Sequence, residues 1–240
     1  MAAPLIDLLW RDHPAAAPPR RRGPRARLAT GDVVAHAVRV ADAEGLSAVT
    51  VRTLATALGV TPMSVYTYVN DRDELLVLMA DLVHGAAPRT GFGRSGWRTR
   101  VRRVADDNLA MLRAHPWLLE VDDPRIALGP GTIERYEHEL RAFDRTGLGD
   151  LERDAALSFV LDFVRASAAR LIPPAVDFTA TWADSVAPLA RYLGTGFSLA
   201  QRVGRAAGEV TGSPYDASYA WRFGLDRVLA GLADLIGSEP

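Results

Sequence analysis

Residues 50–72 read TVRTLATALGVTPMSVYTYVNDR, and this stretch decides the fold. Thr50 is placed to cap a first short helix, which Gly59 then ends by adopting a left-handed conformation. Thr61 is a good N-cap for a second short helix, and Pro62 suits its first position, where a backbone N–H would have no partner in any case. The pattern predicts two helices that cross tightly at a glycine turn, the arrangement by which a chain presents a helix end to DNA.

Helices are also predicted on both sides of this pair. The preceding helix should end at Gly45, and its apolar stripe consists of Val34, Ala37, Val38 and Ala41. After the pair, Asp71 and Glu74 have the spacing of a capping box ahead of another apolar stripe. Residues 31–84 are therefore predicted to form one small helical domain.

Two stretches of this chain resemble one family of bacterial transcription regulators. Residues 32–79 resemble the DNA-binding domain of the tetracycline-repressor (TetR) family; they read DVVAHAVRVADAEGLSAVTVRTLATALGVTPMSVYTYVNDRDELLVLM. Residues 111–148 are similar to its tetracycline-repressor type of ligand domain; they read MLRAHPWLLEVDDPRIALGPGTIERYEHELRAFDRTGL. The resemblance implies an all-α fold with an N-terminal helix-turn-helix DNA-binding domain and a C-terminal helical domain for ligand binding and dimerisation. It also implies a repressor that binds a palindromic DNA operator as a homodimer and is released by a small-molecule effector.

The resemblance further implies roles for single residues of the motif. Arg52 aligns with a position that reaches a base, where a guanidinium can bind guanine through two hydrogen bonds; the alternative is an ordinary surface arginine. Pro62, Met63 and Ser64 occupy the first turn, which faces the major groove. The residues placed for phosphate contacts are Thr61, Tyr66, Thr67, Tyr68 and Arg72. Either tyrosine has a core position as its alternative, since residues two apart cannot share a helix face.

The basic charge lies ahead of this domain. The whole chain has a formal net charge of −1, and residues 31–84 carry three Arg against seven acidic residues. Residues 1–30 carry six Arg against two Asp and are rich in Pro and Ala without periodicity, which predicts a disordered basic arm. We expect its arginines to enter the minor groove beside the recognition helix, with a solvated tail as the alternative. These arginines are Arg20, Arg21, Arg22, Arg25 and Arg27.

Composition narrows the class of protein. The 240 residues are 48% hydrophobic, enough for one small head and one core-forming body. The absence of cysteine excludes disulfides and thiolate metal sites and is compatible with a reducing cytoplasm. No stretch approaches the ~20 apolar residues of a membrane span. We therefore expect a cytoplasmic protein without a membrane partner, metal or cofactor.

Residues 97–240 alternate helical stripes with Gly and Pro breaks, which predicts an all-helical body joined to the head through residues 85–96. The four stripes run from Trp97 to Leu112, from Ile133 to Phe143, from Leu157 to Leu171 and from Trp221 to Leu235.

The resemblance implies that two body helices, 153–171 and 217–236, pair with their copies in a four-helix dimer interface. One recognition helix reads only a few base pairs, whereas two related by a twofold axis read a palindrome. The residues expected in this interface are Leu157, Leu161, Val164, Ala168, Leu225, Val228 and Leu232. The alternative for both stripes is the core of a single chain.

A small, largely apolar effector is expected among the body helices. The candidate lining residues, for each of which plain core is the alternative, are Asn108, Met111, Trp117, Tyr136, Phe143, Phe159, Phe163 and Trp182. Asn108 has the best individual case, because an amide on an apolar stripe needs polar partners. Tetracycline-binding relatives carry a metal-coordinating His before the Leu-Gly of this region, but Ala127 precedes Leu128 here. Magnesium-tetracycline is therefore not expected as the effector.

Enzymatic interpretations have little support. Residues 91–96, GFGRSG, imitate a nucleotide-binding loop, yet no strand precedes them and a joint explains them better. Glu134 and His138 share a helix face without a second His, which is usual for a solvated pair. The negative head keeps one alternative open, namely a helical small-molecule-binding or enzymatic protein whose head does not read DNA.

Overall fold

The computed structural model describes residues 3–16, 28–172, 178–211 and 216–237. The described residues form helices and turns without a β-strand, so the predicted all-α class is confirmed. The helices are α1 (Leu5–Leu9), α2 (Thr30–Glu44), α3 (Val51–Leu58), α4 (Pro62–Val65), α5 (Arg72–Ala86), α6 (Trp97–Ala114), α7 (Pro130–Leu140), α8 (Asp150–Leu171), α9 (Phe178–Leu193), α10 (Ser198–Thr211) and α11 (Ala217–Ile236). Short 3-10 helices cover Leu46–Ala48, Pro116–Glu120, Pro124–Leu128 and Arg141–Phe143.

The chain forms two compact units, Met1–Leu161 and Asp162–Pro240. In the first unit, α5 is central and packs against α1, α2 and α7. Its core is apolar and includes fully buried Val33, Leu54, Val65, Met79 and Trp97. In the second unit, α11 buries Leu225, Val228, Leu229 and Leu232. No helix in the described part of the chain is both long and apolar enough to cross a membrane.

The local signals in residues 50–72 act as predicted. The Thr50 hydroxyl accepts a hydrogen bond from the Thr53 N–H at 3.1 Å and so caps α3. Gly59 ends α3 with φ 65° and ψ 32°, a left-handed conformation that glycine adopts at little cost. The Thr61 hydroxyl then accepts from the Ser64 N–H at 3.3 Å and caps α4, with Pro62 at its first position.

The predicted capping box of α5 is only half formed. The Asp71 carboxylate accepts from the Glu74 N–H at 2.8 Å, as expected. The Glu74 carboxylate instead accepts from the side-chain amide of Asn70, also at 2.8 Å. Asn70 is a competing donor next to the cap, and for this reason the return bond of the box is replaced.

The predicted disorder of residues 1–30 does not hold for their first part. Leu5–Leu9 form α1, which buries Leu8 and Leu9 and packs on α5. A five-residue helix is too short to show an apolar period and gains its stability from tertiary burial, so no pattern in the sequence indicated it. The arginines predicted to contact DNA, Arg20, Arg21, Arg22, Arg25 and Arg27, lie outside the described residues.

The body helices agree with the predicted stripes. The stripe from Trp97 is α6, which ends before Pro116, and the other three stripes coincide with α7, α8 and α11. The second unit also contains α9 and α10, which the stripes did not indicate. The joint differs from the prediction at its beginning, because α5 continues without a break to Ala86.

Candidate DNA-binding surface and effector site

The turn between α3 and α4 presents one exposed surface. Pro62 and Thr67 are exposed, and Met63 keeps 76% of its surface in solvent. The opposite side of the same pair is fully buried through Leu54 and Val65, which fix the two helices on the head. Pro62, Met63 and Thr67, which the sequence predicted to contact DNA, therefore face solvent rather than the core of the head.

Two arginines of the predicted DNA-contact set, Arg52 and Arg72, differ in their hydrogen bonding. Arg52 is exposed on α3 and has no hydrogen-bond or ion-pair partner among the described residues. Arg72, at the start of α5, is exposed but donates one guanidinium N–H to the Leu46 carbonyl at 3.2 Å. All the guanidinium N–H donors of Arg52 are therefore available, whereas one donor of Arg72 is used in a hydrogen bond within the head.

The hydroxyl residues of α4 differ in their availability. The Thr61 and Ser64 hydroxyls lie 2.9 Å apart and hydrogen-bond each other as part of the helix cap. Tyr66 is 41% exposed, whereas Tyr68 is half-buried and its backbone carbonyl accepts from the Thr30 hydroxyl at 3.4 Å. Of the two tyrosines, Tyr68 thus fits the alternative of a partly core position better.

The residues predicted to line an effector pocket differ widely in their exposure. Asn108, Met111 and Phe143 are buried, but Tyr136 and Phe159 are 41% and 53% exposed. The Tyr136 hydroxyl donates to Asp154 at 2.7 Å, so this side chain faces outward from α7. An apolar period predicts which residues share a helix face, but it does not show which of them are buried. The prediction therefore included aromatic residues that are exposed in the structure.

Two other candidates, Trp117 and Phe163, make specific packing contacts. The Trp117 indole N–H donates to the Asp42 carboxylate at 2.7 Å, and His115 contacts the same oxygen at 2.7 Å. Trp117 therefore ties the body to α2 of the head. In the second unit Phe163 stacks on Trp221 with 5.3 Å between ring centroids, and Trp182 is half-buried.

Asn108 does find the polar partners that its position demanded. Its amide donates to the Glu139 carboxylate at 2.6 Å, and Glu139 also pairs with the Arg135 Nε at 2.9 Å. All three side chains are buried, and burial raises the pKa of Glu139 and lowers that of Arg135. The two terminal guanidinium nitrogens of Arg135 have no hydrogen-bond partner among the described residues.

This cluster was not predicted, although Arg135 and Glu139 have the i,i+4 spacing of a helical ion pair. The spacing of Glu134 and His138 instead predicted a solvated pair. Glu134 is exposed and lies 3.7 Å from Arg89, whereas His138 is half-buried and stacks on Phe92 at 4.6 Å. Burial lowers the pKa of His138. On α7, Arg135 and Glu139 are therefore buried, whereas Ile133 and Tyr136 of the predicted apolar stripe are exposed.

A cleft of about 610 Å³ opens between α2, α5 and α6. Its walls are apolar and include Val38, Leu82 and the predicted Met111, together with five alanines: Ala35, Ala86, Ala87, Ala110 and Ala114. Arg39 and Asp107 stand among the charged groups in its lining. A molecule in this cleft would touch a helix of the head, the central α5 and a helix of the body at once.

The contact between α5 and α7 is unusually close. A Cβ atom added to Gly131 would lie 2.2 Å from the Asp81 carbonyl oxygen and 2.8 Å from the Gly85 nitrogen. The buried Asp81 carboxylate reaches Thr132 in the first turn of α7, and burial raises its pKa. In the sequence, the signal for this contact is an acidic residue, Asp81, inside the apolar stripe of α5.

The residues expected in the dimer interface lie mostly inside the chain. Leu161 is half-buried, and the other six are at most 7% exposed: Leu157, Val164, Ala168, Leu225, Val228 and Leu232. These six favour the alternative of a single-chain core, because a second chain cannot reach them. Large apolar side chains are nevertheless exposed on both helices, on α8 at Leu151 and Phe159 and on α11 at Tyr219, Phe223 and Leu235. Among the described residues, no group of His, Asp and Glu has the arrangement of a metal site.

Comparison with known proteins places the chain in a family. Residues 88–236 match the family described as tetracyclin repressor-like, C-terminal domain. An HTH-type transcriptional repressor of Streptomyces coeruleorubidus, DrrR1, is 39% identical over 144 residues, which are 60% of this chain and 53% of DrrR1. An HTH-type transcriptional regulator of Saccharopolyspora erythraea is 27% identical over 55% of this chain and 56% of its own. The chain thus spans about half the length of these curated relatives.

Solved structures give the same assignment over most of the fold. Apo ActR of Streptomyces coelicolor superposes with a TM-score of 0.69 at 28% identity, covering 89% of this chain and 100% of ActR. ActR in complex with (S)-DNPA gives a TM-score of 0.71 at 27% identity over 88% of this chain and 100% of ActR. The helix-turn-helix head, the helical body and the matched C-terminal domain together show that this chain belongs to the tetracycline-repressor family.

Proposed function

We propose that the protein is a transcriptional repressor that binds a palindromic DNA operator as a homodimer and releases it when a small, largely apolar effector binds. The observation that carries this proposal is the exposed surface of α3 and α4. Arg52 has no partner among the described residues, and Met63 is 76% exposed, so neither side chain is held by a contact within the described fold. An unpaired guanidinium on α3 suits guanine, and an exposed apolar side chain on α4 suits a thymine methyl in the major groove.

The comparisons support both halves of the proposal. DrrR1 is named a transcriptional repressor, and two of the ActR structures are complexes, one with (S)-DNPA and one with actinorhodin. For the present chain, the cleft between α2, α5 and α6 has a volume suited to a small molecule. Its apolar walls favour an effector with a large apolar surface.

Homodimer formation fits the exposed apolar side chains of α8 and α11. Phe159 and Phe223 leave 53% and 57% of their surfaces in solvent within one chain. We propose that these exposed residues, rather than the buried stripe, contact the second copy. Two heads related by a twofold axis would then read the two halves of a palindrome.

Selection from a random duplex library at near-physiological salt tests the proposal. We expect a palindrome with half-sites about one helical turn apart. Arg52→Ala should weaken binding to the selected site by about 5- to 150-fold, the equivalent of one lost pair of base contacts. Arg113→Ala is the matched control, because Arg113 is exposed on α6 and has no partner among the described residues.

The competing function is a small-molecule-binding or enzymatic protein whose head does not read DNA, which the acidic balance of residues 31–84 favours. Salt dependence separates the two. A DNA reader that contacts several phosphates loses affinity steeply between about 50 and 200 mM salt. A folded, dimeric protein that enriches no motif would contradict the repressor proposal and support the competing function.

A further inference from the structure

The segment ahead of the head, residues 3–16, is fastened to two different parts of the first unit. At one end the Ala3 carbonyl accepts a hydrogen bond from the Asn70 side-chain amide at 3.0 Å. At the other end the Trp10 indole N–H donates to the Leu128 carbonyl at 2.9 Å. Asn70 directly precedes the cap of α5 in the head, and Leu128 ends the 3-10 turn before α7 in the body. We call residues 3–16 the strap.

Burial holds the strap between its two ends. Leu8 and Leu9 are 6% and 4% exposed, and α1 packs on α5. The Arg11 guanidinium donates to the Leu8 carbonyl at 2.7 Å and satisfies a carbonyl at the end of α1. A helix of five residues is not stable in isolation, so its conformation depends on these contacts.

The turn to which Trp10 is bonded packs on α5 and α7 and is closed by the Gly129 N–H, which donates to the Ile126 carbonyl at 3.1 Å, but it lies at the surface. None of the residues Pro124–Leu128 is buried, and the Leu128 side chain is 49% exposed. At the other end of the turn, the Asp123 carboxylate accepts from the Arg125 N–H at 2.9 Å. Trp10 therefore supplies a tie that fixes the end of the turn next to Gly129 and the first turn of α7.

We propose that Trp10 is a positioning residue for the effector response. Its hydrogen bond to the Leu128 carbonyl fixes the position of the turn, and with it the start of α7, relative to α5. A displacement of this turn would then move the strap, which is bonded to Asn70 of the head through the Ala3 carbonyl. This inference rests on the proposed repressor function and adds to it a connection between body and head outside α5. Removing the indole N–H should therefore alter DNA affinity, although Trp10 itself is far along the chain from the recognition helix.

The first measurement needs neither operator nor effector. The protein has five tryptophans, and Trp10→Phe identifies the Trp10 signal in an NMR spectrum of isotope-labelled indole groups by removing it. We expect this indole N–H to be protected from exchange with water in the wild type. We also expect Trp10→Phe to raise backbone hydrogen exchange over residues 124–132, while Ile6→Ala does not. Ile6 is the matched control because it lies on α1 and is 47% exposed.

The second measurement uses the operator recovered by selection. Trp10→Phe should change operator affinity by roughly 2- to 12-fold, the factor that corresponds to one hydrogen bond, in addition to a small decrease in unfolding midpoint. A freely exchanging Trp10 indole in the wild type would overturn the proposal. Unchanged exchange over residues 124–132, or a lower midpoint with unchanged affinity, would also overturn it. If no operator is recovered, the repressor function fails, and the exchange data still decide whether Trp10 holds the turn.

Discussion

One oxygen of the Asp81 carboxylate accepts two hydrogen bonds from Thr132, from its backbone N–H at 2.8 Å and from its hydroxyl at 3.1 Å. Asp81 lies on α5, the helix that leaves the head, and Thr132 lies in the first turn of α7 in the body. A buried side chain of one helix thus caps the other, which makes the relative position of α5 and α7 specific.

Asp81→Ala should lower the free energy of unfolding by about 1–3 kcal/mol, because it leaves the part-buried N–H and hydroxyl of Thr132 without their acceptor. Asp81→Asn keeps an acceptor oxygen and removes the buried charge, so we expect it to stay within about 1 kcal/mol of the wild type. Urea unfolding of the three proteins at neutral pH measures the difference. Equal losses of unfolding free energy in both variants would show that the charge of Asp81, and not its role as an acceptor, stabilises the contact between α5 and α7.

The difference in stability between the wild type and Asp81→Asn should depend on pH. Burial raises the pKa of Asp81 above its ordinary value of 3.8. A carboxyl whose pKa is higher in the folded chain binds more protons there than in the unfolded chain, so its contribution to stability is present at low pH and lost as the pH rises through the folded pKa. The stability of the wild type relative to Asp81→Asn should therefore fall as the pH is raised from about 4. A rising difference would contradict this sign.

Gly131→Ala should separate α5 from α7. The added Cβ would meet the Asp81 carbonyl oxygen at 2.2 Å, and because this neighbour is backbone it cannot turn aside. We expect a loss of about 1–3 kcal/mol in urea unfolding, as for other overpacked sites. Gly204→Ala on α10 is the control, since nothing lies within 4 Å of its Cβ position. This control should be neutral or stabilising by up to about 1 kcal/mol.

The buried pair of Arg135 and Glu139 should behave as a unit. Glu139→Leu or Arg135→Met alone leaves a buried charge without its partner and should cost about 3–5 kcal/mol. The double variant removes both charges and should cost clearly less than the two single losses together. A double-mutant cycle by urea unfolding measures this coupling, and additive losses would show that the two side chains do not stabilise each other.

The exposed rings of α8 and α11 should control dimer formation. Phe159→Asp and Phe223→Asp place a charge on side chains that are more than half exposed in one chain, so we expect each to lower the mass measured by light scattering toward that of a monomer. Tyr192→Asp is the control, because Tyr192 is 82% exposed on α9. Dimers that persist in both phenylalanine variants would place the interface elsewhere.

The helix-turn-helix could be predicted because its signals are local. Thr50, Gly59, Thr61 and Pro62 act on neighbours within a few residues, and each does so in the structure. The strap could not be predicted in this way, because Leu8 and Leu9 depend on α5, more than sixty residues further along the chain. The start and end of a helix are thus encoded by nearby residues, whereas the packing of one helix on another depends on residues far apart in the sequence.

The candidate site was harder to predict than the helices. The stripes of α8 and α11 are apolar on more than one side, and periodicity does not distinguish Leu157, which is buried, from Phe159, which is exposed. Asn108 was recognised as needing partners, yet nothing local indicated that Glu139, 31 residues later, would supply one. Contacts between buried polar groups on different helices therefore cannot be predicted from local sequence and are found only once the fold is known.

The unbroken course of α5 has a geometric consequence for DNA recognition. From Gly85, held against α7, to Arg72, beside the recognition helix, it forms a lever arm about 20 Å long. A tilt of about 5° at the fixed end moves the other end by about 1.7 Å, and opposite tilts in the two copies of the proposed dimer would change their spacing by about 3.5 Å. That matches the roughly 3.4 Å step between base pairs, so a small rotation of α5 would shift the two heads by about one base pair relative to the proposed operator.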